Sequence, residues 1–226
     1  MKNYIEISLL DSAKINSFIL WQKLFTQIHL GLVAIQDAQK KSPIGISFPE
    51  YHIGSKFGCL GSKLRLFAKN EAILQEFDAE KQFSRLFDYV HLTSVSQVPE
   101  KLDGYAIYSR YQPKLNGLSL LKRHQNRQEK WQEIIKNPNS SQQEILQAKE
   151  NINKSKERKI NYEKENKIKE PFIRLKSLSN NGREFCLFIK KTEAKQSNCQ
   201  KFTTYGLSNF DSQKNNHNLF STVPEF

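Results

Sequence analysis

The sequence predicts an α+β fold, and three observations carry that prediction. Short runs alternating polar and apolar residues take turns with runs of three- and four-residue apolar spacing over the first hundred residues. A hairpin pattern with a glycine turn stands in the last third. The 226 residues are enough for one well-filled core with additions, or for two small domains.

In order, YIEISL, residues 4–9, alternates at period two and reads as a half-buried strand. A helix follows from Ile15 to Gln36, with Trp21, Phe25, Ile28, Leu32 and Ile35 on one apolar stripe and His29 on its flank. IGISFP and KLRLFA read as two strands; Pro49 ends the first, and a loop holding Gly54, Gly58 and Gly61 joins them. EAILQEFD, residues 71–78, is a second helix, and YVHLTSVSQV, residues 89–98, contains another strand. Strand, helix, two strands, helix, strand is the order of a ferredoxin-like domain, assigned to residues 1–104, and open sheets of this kind often bind RNA.

Residues 105–226 read as a second domain, an α/β part with a basic helix. AIYSRYQ is strand-like, and LSLLKRHQNRQEKWQEIIK is the helix, about 117–135, carrying Lys122, Arg123, Arg127 and Lys130. Residues 137–170 are polar and charge-rich with few core-formers, a solvated helix or insertion. FIRLKSLS and REFCLFIKK flank Asn181-Gly182, a pair that tolerates positive φ, and make a hairpin over about 172–191. Within KFTTYGLS, residues 202–208 are expected to add one more strand.

The net charge of +12 is unevenly placed. Residues 1–104 hold 12 basic against 11 acidic side chains, and residues 105–226 hold 23 against 12. A near-neutral scaffold joined to a basic half points to a polyanionic partner, nucleic acid before all others. No apolar run approaches the roughly 18 to 20 residues that span a bilayer, and the N-terminus lacks a signal peptide's apolar stretch, so no membrane role and a cytoplasmic location are expected. Cys59, Cys186 and Cys199 are odd in number and far apart, which writes neither a disulfide framework nor a zinc site; Cys186 inside FCLFI reads as buried filler. No carboxylate cluster stands at metal-ligand spacing, and no nucleophile elbow is present.

Taken together, FTQIHLGLV with His29, IGISFP, SRYQ, RLKSLSNNGREFCLFI and FTTYGLSNF resemble the CRISPR repeat-processing endoribonucleases of the type I-F (Csy) systems. The likeness runs in order from Tyr4 to Phe226. It implies a ferredoxin-like N-terminal domain, a C-terminal part with an arginine-rich helix, and cleavage of repeat RNA at the 3′ base of a stem-loop without metal or cofactor. It further implies that the enzyme keeps its product, the crRNA 3′ handle, inside a surveillance complex with other type I-F subunits. By resemblance, His29 is the catalytic histidine, Ser177 the catalytic serine with Ser179 beside it, and Tyr205 the tyrosine orienting the imidazole. Arg110 and Gln112 match the pair that reads base edges, and Phe185 falls where an aromatic stacks on the stem's terminal base pair. Arg123 and Arg127 match arginines that lie along the stem phosphates, and Lys122 and Lys176 are expected to add to the RNA-binding cations. The helix departs from the family pattern in its centre, His124-Gln125-Asn126, and the stretches before Pro171 and after Tyr205 are long.

RNA carries its own nucleophile, the 2′-hydroxyl beside the scissile phosphate. In-line attack on phosphorus expels the 5′-oxygen and leaves a 2′,3′-cyclic phosphate and a 5′-hydroxyl. A histidine can take the 2′-proton and a serine can hold the sugar, which is orientation and not covalent catalysis. A different reading is a hairpin-binding subunit that does not cleave, as in a transposon-associated type I-F complex. Apart from the resemblance, His29 is an ordinary flank residue, Tyr205 a strand aromatic and Phe185 a core side chain.

Overall fold

A computed structural model of the chain describes residues 1–11, 15–55, 57–112, 116–165, 168–177, 182–198, 201–209 and 220–226, with backbone alone over 116–125 and 158–165. The chain divides into two compact units, Met1–Tyr111 with Lys169–Phe226, and Gln112–Ile168.

The first unit contains two main sheets. In one, β1 (Asn3–Leu9) lies between β5 (Lys63–Ala68) and β6 (Val90–Leu92); β2 (Gly45–Ser47) continues beyond β5, and β7 (Ser96–Gln97) also pairs with β1. Every pairing is antiparallel, with Ile5 opposite Leu66 and Ile7 opposite Leu64. These four side chains are buried, and the polar residues between them face away. The sequence alternates because only one face is covered.

Helix α1 (Ser17–Ala34) buries Leu20, Trp21, Leu24, Phe25, Ile28 and Leu32, the stripe that helical spacing demands. It begins two residues later than periodicity alone indicates, because Asn16 Oδ1 accepts the Phe18 amide at 2.9 Å and caps the end. After β5, α2 (Glu71–Phe77) is capped by Asn70, and α3 (Ala79–Gln82) leads through a 3₁₀ turn to β6.

The second sheet has the antiparallel order β11 (Val223–Glu225), β8 (Gly104–Tyr111), β10 (Glu184–Ala194), β9 (Phe172–Lys176). Tyr108 joins the sheets: its hydroxyl reaches the Phe48 carbonyl oxygen and Glu225 Oε1, both at 3.1 Å. Burial holds that phenol far above the usual tyrosine range, so it stays a donor. The C-terminal residues serve the same junction. Arg65 pairs with Glu6 at 2.7 Å, donates to the Phe226 carbonyl oxygen at 2.7 Å and lies 4.0 Å from the centre of its ring. Glu225 takes an ion pair from Lys191.

Several expectations change here. The glycine-rich loop after β2 contains a two-stranded ribbon, β3 (His52–Ile53) and β4 (Gly58–Cys59). KFTTYGLS is not a strand: its ends make only isolated bridges, Phe202 with Ser42 and Ser208 with Ser109, because the chain turns at Gly206, whose φ is +69°. Cys186 is half-exposed on the outer side of β10 and is not core filler. Cys199 lies outside the described residues.

The second unit is a helical pair, α4 (Asn116–Lys136) and α5 (Gln142–Glu165), packed together. Serine caps α5 in a capping box: Ser141 N and Oγ donate to Glu144 Oε2 at 2.8 and 2.9 Å, and Glu144 N returns to Ser141 Oγ at 3.3 Å. Among the described residues no helix is long and apolar enough to cross a membrane.

The turn after α1 yields one prediction. Asp37 accepts the Gln39 and Lys41 amides at 2.8 and 2.9 Å and the Lys201 ammonium at 2.5 Å, fastening the approach to residues 202–208. Lys201 first, then the Lys41 amide, hold its carboxyl below the usual aspartate range. A depressed folded-state pKa stabilises above the unfolded value, near about 3.9, and loses its effect as pH falls. Asp37→Asn is therefore expected to lower Tm at neutral pH, with the difference from wild type shrinking in melts carried below about pH 4.

Candidate active site

On α1, His29 follows buried Ile28 and stands one turn beyond buried Phe25, so it emerges half-exposed at the edge of the apolar stripe. Its Nδ1 lies 2.8 Å from the Thr204 carbonyl oxygen. A carbonyl only accepts, so Nδ1 carries the hydrogen, and Nε2 of the neutral ring keeps its lone pair. One ring face lies against Tyr205, with centroids 4.2 Å apart and planes 8° from parallel. Tyr205 is also parallel to Phe25, at 6.4 Å and 10°. Rotation of the imidazole would break both the hydrogen bond and the stack.

The loop that supplies Thr204 and Tyr205 is tied to both sheets. Phe202 and Ser42 exchange backbone hydrogen bonds of 2.8 and 2.9 Å; Ile46 of β2 donates to Gly206 at 3.0 Å; Ser208 donates to Tyr108 of β8 at 2.7 Å. Within the turn, Gly206 N donates to the Thr203 carbonyl oxygen and Thr203 N to that of Leu207, each at 2.8 Å. Burial pushes the Tyr205 hydroxyl above its ordinary range, partly opposed by the nearby Arg110 charge. The phenol is therefore neutral at physiological pH and offers the imidazole a ring face, not a charge.

The second sheet brings up the other residues. Cross-strand partners share a face, so Arg110, opposite Ile189, lies on the same side as Phe185, opposite Leu175. The Arg110 guanidinium carbon is 5.8 Å from the centre of the Phe185 ring, a cation–π distance. Helix α1 packs along β9, the strand leading directly into Ser177. Ser177 N donates to the Arg183 carbonyl oxygen at 2.9 Å and its own carbonyl accepts from Gly182 at 3.1 Å, which closes the hairpin. By alternation Ser177 continues the face of Ile173 and Leu175, the buried side.

Lys176 belongs to the opposite face, in an exposed ion pair with Glu184 at 3.7 Å. Arg127 is exposed on α4, and Gln112 is exposed just after β8. Lys122 and Arg123 fall on α4 where only backbone is described, and Ser179 lies outside the described residues. Among the described residues no three His, Cys, Asp or Glu side chains are grouped as metal ligands.

Sequence reasoning names His29, Tyr205, Arg110, Phe185 and Ser177 but not the Thr204 carbonyl or the Phe25 ring. The first is a backbone group with no residue signature. The second is legible as an aromatic one helical turn before His29.

A family model described as CRISPR-associated protein (Cas_Csy4) matches residues 4–226. The chain belongs to this family. It is the type I-F family to which the ordered motifs point, and the match covers both units of the structure. No curated protein matches the chain.

Proposed function

We propose that the protein is a metal-independent endoribonuclease that cuts CRISPR repeat RNA at the 3′ base of a stem-loop and holds the product as a subunit of a cytoplasmic type I-F surveillance complex. The observation that carries this reading is the His29 Nδ1 to Thr204 hydrogen bond, which leaves Nε2 free as a proton acceptor. In the proposed reaction Nε2 takes the 2′-hydroxyl proton, the 2′-oxygen attacks phosphorus as the bond to the 5′-oxygen breaks, and the departing 5′-oxygen takes a proton from water. Ser177, with Ser179 beside it, holds the ribose for in-line attack. Tyr205 fixes the ring plane. Membership of the family supports the substrate class and the partner subunits.

The antiparallel strand order β2-β5-β1-β6, with α1 and α2 as connections, supports a ferredoxin-like scaffold within residues 1–104. Residues 105–226 then act as the RNA-binding part. Arg110 and Gln112 read guanine and adenine edges at the foot of the stem, where a bidentate contact discriminates by roughly 1 to 3 kcal/mol. Phe185 stacks on the terminal base pair. Lys122, Arg123 and Arg127 on α4, with Lys176, meet phosphates, so affinity depends on salt and outlasts cleavage.

Three outcomes follow. A 2′-deoxy nucleotide placed just 5′ of the cut should abolish cleavage in a gel assay without weakening hairpin binding; persistent cutting would remove the 2′-hydroxyl as nucleophile. Tyr205→Phe keeps the stack and should cleave within a few fold of wild type in single-turnover assays, whereas Tyr205→Ala should lose much of the rate. Arg127→Ala should weaken binding and lower the log Kd against log salt slope by roughly one, leaving the cut position unchanged.

A further inference from the structure

The second sheet has another face, of which the proposed function uses Lys176 alone. On it, Phe172 of β9 stands opposite Phe188 of β10, and Phe188 stands opposite Tyr111 of β8. Their alignment makes one row of aromatics across three strands, and the Phe172 and Phe188 rings are 5.2 Å apart. Phe172 is 37% exposed, and Phe188 and Tyr111 are half-buried. Two residues along β9 is Arg174, and two along β10 is Lys190, both exposed on this same face. Because β9 and β10 run antiparallel, the two cations flank the aromatic row on opposite sides, each about 7 Å away along its strand. Neither has an acidic partner among the described residues; Glu184, the acid near them on this face, is occupied by Lys176.

We propose that this outer face binds single-stranded RNA, its aromatic row stacking bases while Arg174 and Lys190 hold the phosphates on either side. An open sheet with neighbouring aromatics and flanking cations suits unpaired nucleotides, whose bases are free to stack. A duplex stem buries its base faces and cannot use the row. The inference rests on the RNA-processing reading and assigns this face the single-stranded RNA next to the hairpin. The His29 face and this one then grip different parts of one transcript.

The test uses the full chain with His29→Ala, so that RNA stays intact, and two RNAs: the bare repeat hairpin and the hairpin with a 5′ tail of on the order of ten uridines. The tail is expected to tighten binding by about tenfold, and a Phe172→Ala, Arg174→Ala, Lys190→Ala variant is expected to lose that gain while holding the bare hairpin as before. Tight binding of the bare hairpin with no gain from the tail would overturn this proposal alone and leave the face to a protein neighbour. Failure to bind the bare hairpin would instead sink the processing reading; a uridine oligomer bound by the parent chain and lost in the variant would still support the platform. On the unsubstituted face, 4-thiouridine in the tail should crosslink to Tyr111, Phe172 or Phe188. Crosslinks confined to other segments would contradict the assignment without depending on any variant's folding.

Discussion

Replacing His29 with alanine is expected to slow single-turnover cleavage by roughly 10²- to 10⁴-fold, the range that a general base supplies. Hairpin affinity should stay within a few fold, because the proposed RNA contacts lie on Arg110, Phe185 and α4. The substitution removes an imidazole held on two sides: Nδ1 is engaged with the Thr204 carbonyl oxygen, and the ring face with Tyr205. Wild-type cleavage rates in His29→Ala would show that the imidazole only packs. A parallel loss of binding would show that the substitution disturbs the fold beyond the site.

Gly206→Ala is expected to damage both stability and cleavage, the latter well beyond what unfolding explains. Gly206 has φ +69°, and a Cβ built there would lie 2.6 Å from Ile46 Cγ2 and 3.3 Å from Leu32 Cδ1. Left-handed backbone costs an L side chain roughly 1 to 2 kcal/mol, and overpacking against buried, branched neighbours adds about 1 to 3 kcal/mol. At about 2 to 4 °C per kcal/mol for a chain of this size, Tm should fall by around 10 °C. The turn must move away from Ile46, and the Thr204 carbonyl and Tyr205 ring move with it. Cleavage measured well below the new Tm should therefore still be slow. Full activity at low temperature would mean that the His29 partners tolerate displacement.

What could be read from the sequence depended on whether burial was one-sided. YIEISL and α1 show their periods because one face of each is covered, and the NNG turn announces its hairpin through the glycine. KFTTYGLS misleads because its polar and apolar residues also alternate. Its Gly206 carbonyl accepts from β2 and its Ser208 amide donates to β8, so it crosses from one sheet to the other without joining either. β11 escaped notice for a different reason: it is three residues long and includes Pro224. Proline is tolerated there because β11 is the edge of its sheet and one side needs no ladder donor.

The candidate site divides in the same way. Side chains such as His29, Tyr205 and Ser177 belong to motifs, so resemblance could single them out. The Thr204 carbonyl, 175 residues from His29 in sequence, decides the tautomer and belongs to no motif. The outer row of Phe172, Phe188 and Tyr111 likewise becomes visible only once register places three strands side by side.

The most direct test incubates the purified chain with an end-labelled repeat hairpin in excess EDTA and analyses the product termini. The account predicts a single cut at the 3′ base of the stem, a 2′,3′-cyclic phosphate on the upstream fragment, a 5′-hydroxyl on the downstream one, and loss of the cut in His29→Ala. Tight binding with no cleavage, or cleavage restored only by added divalent metal, would contradict it.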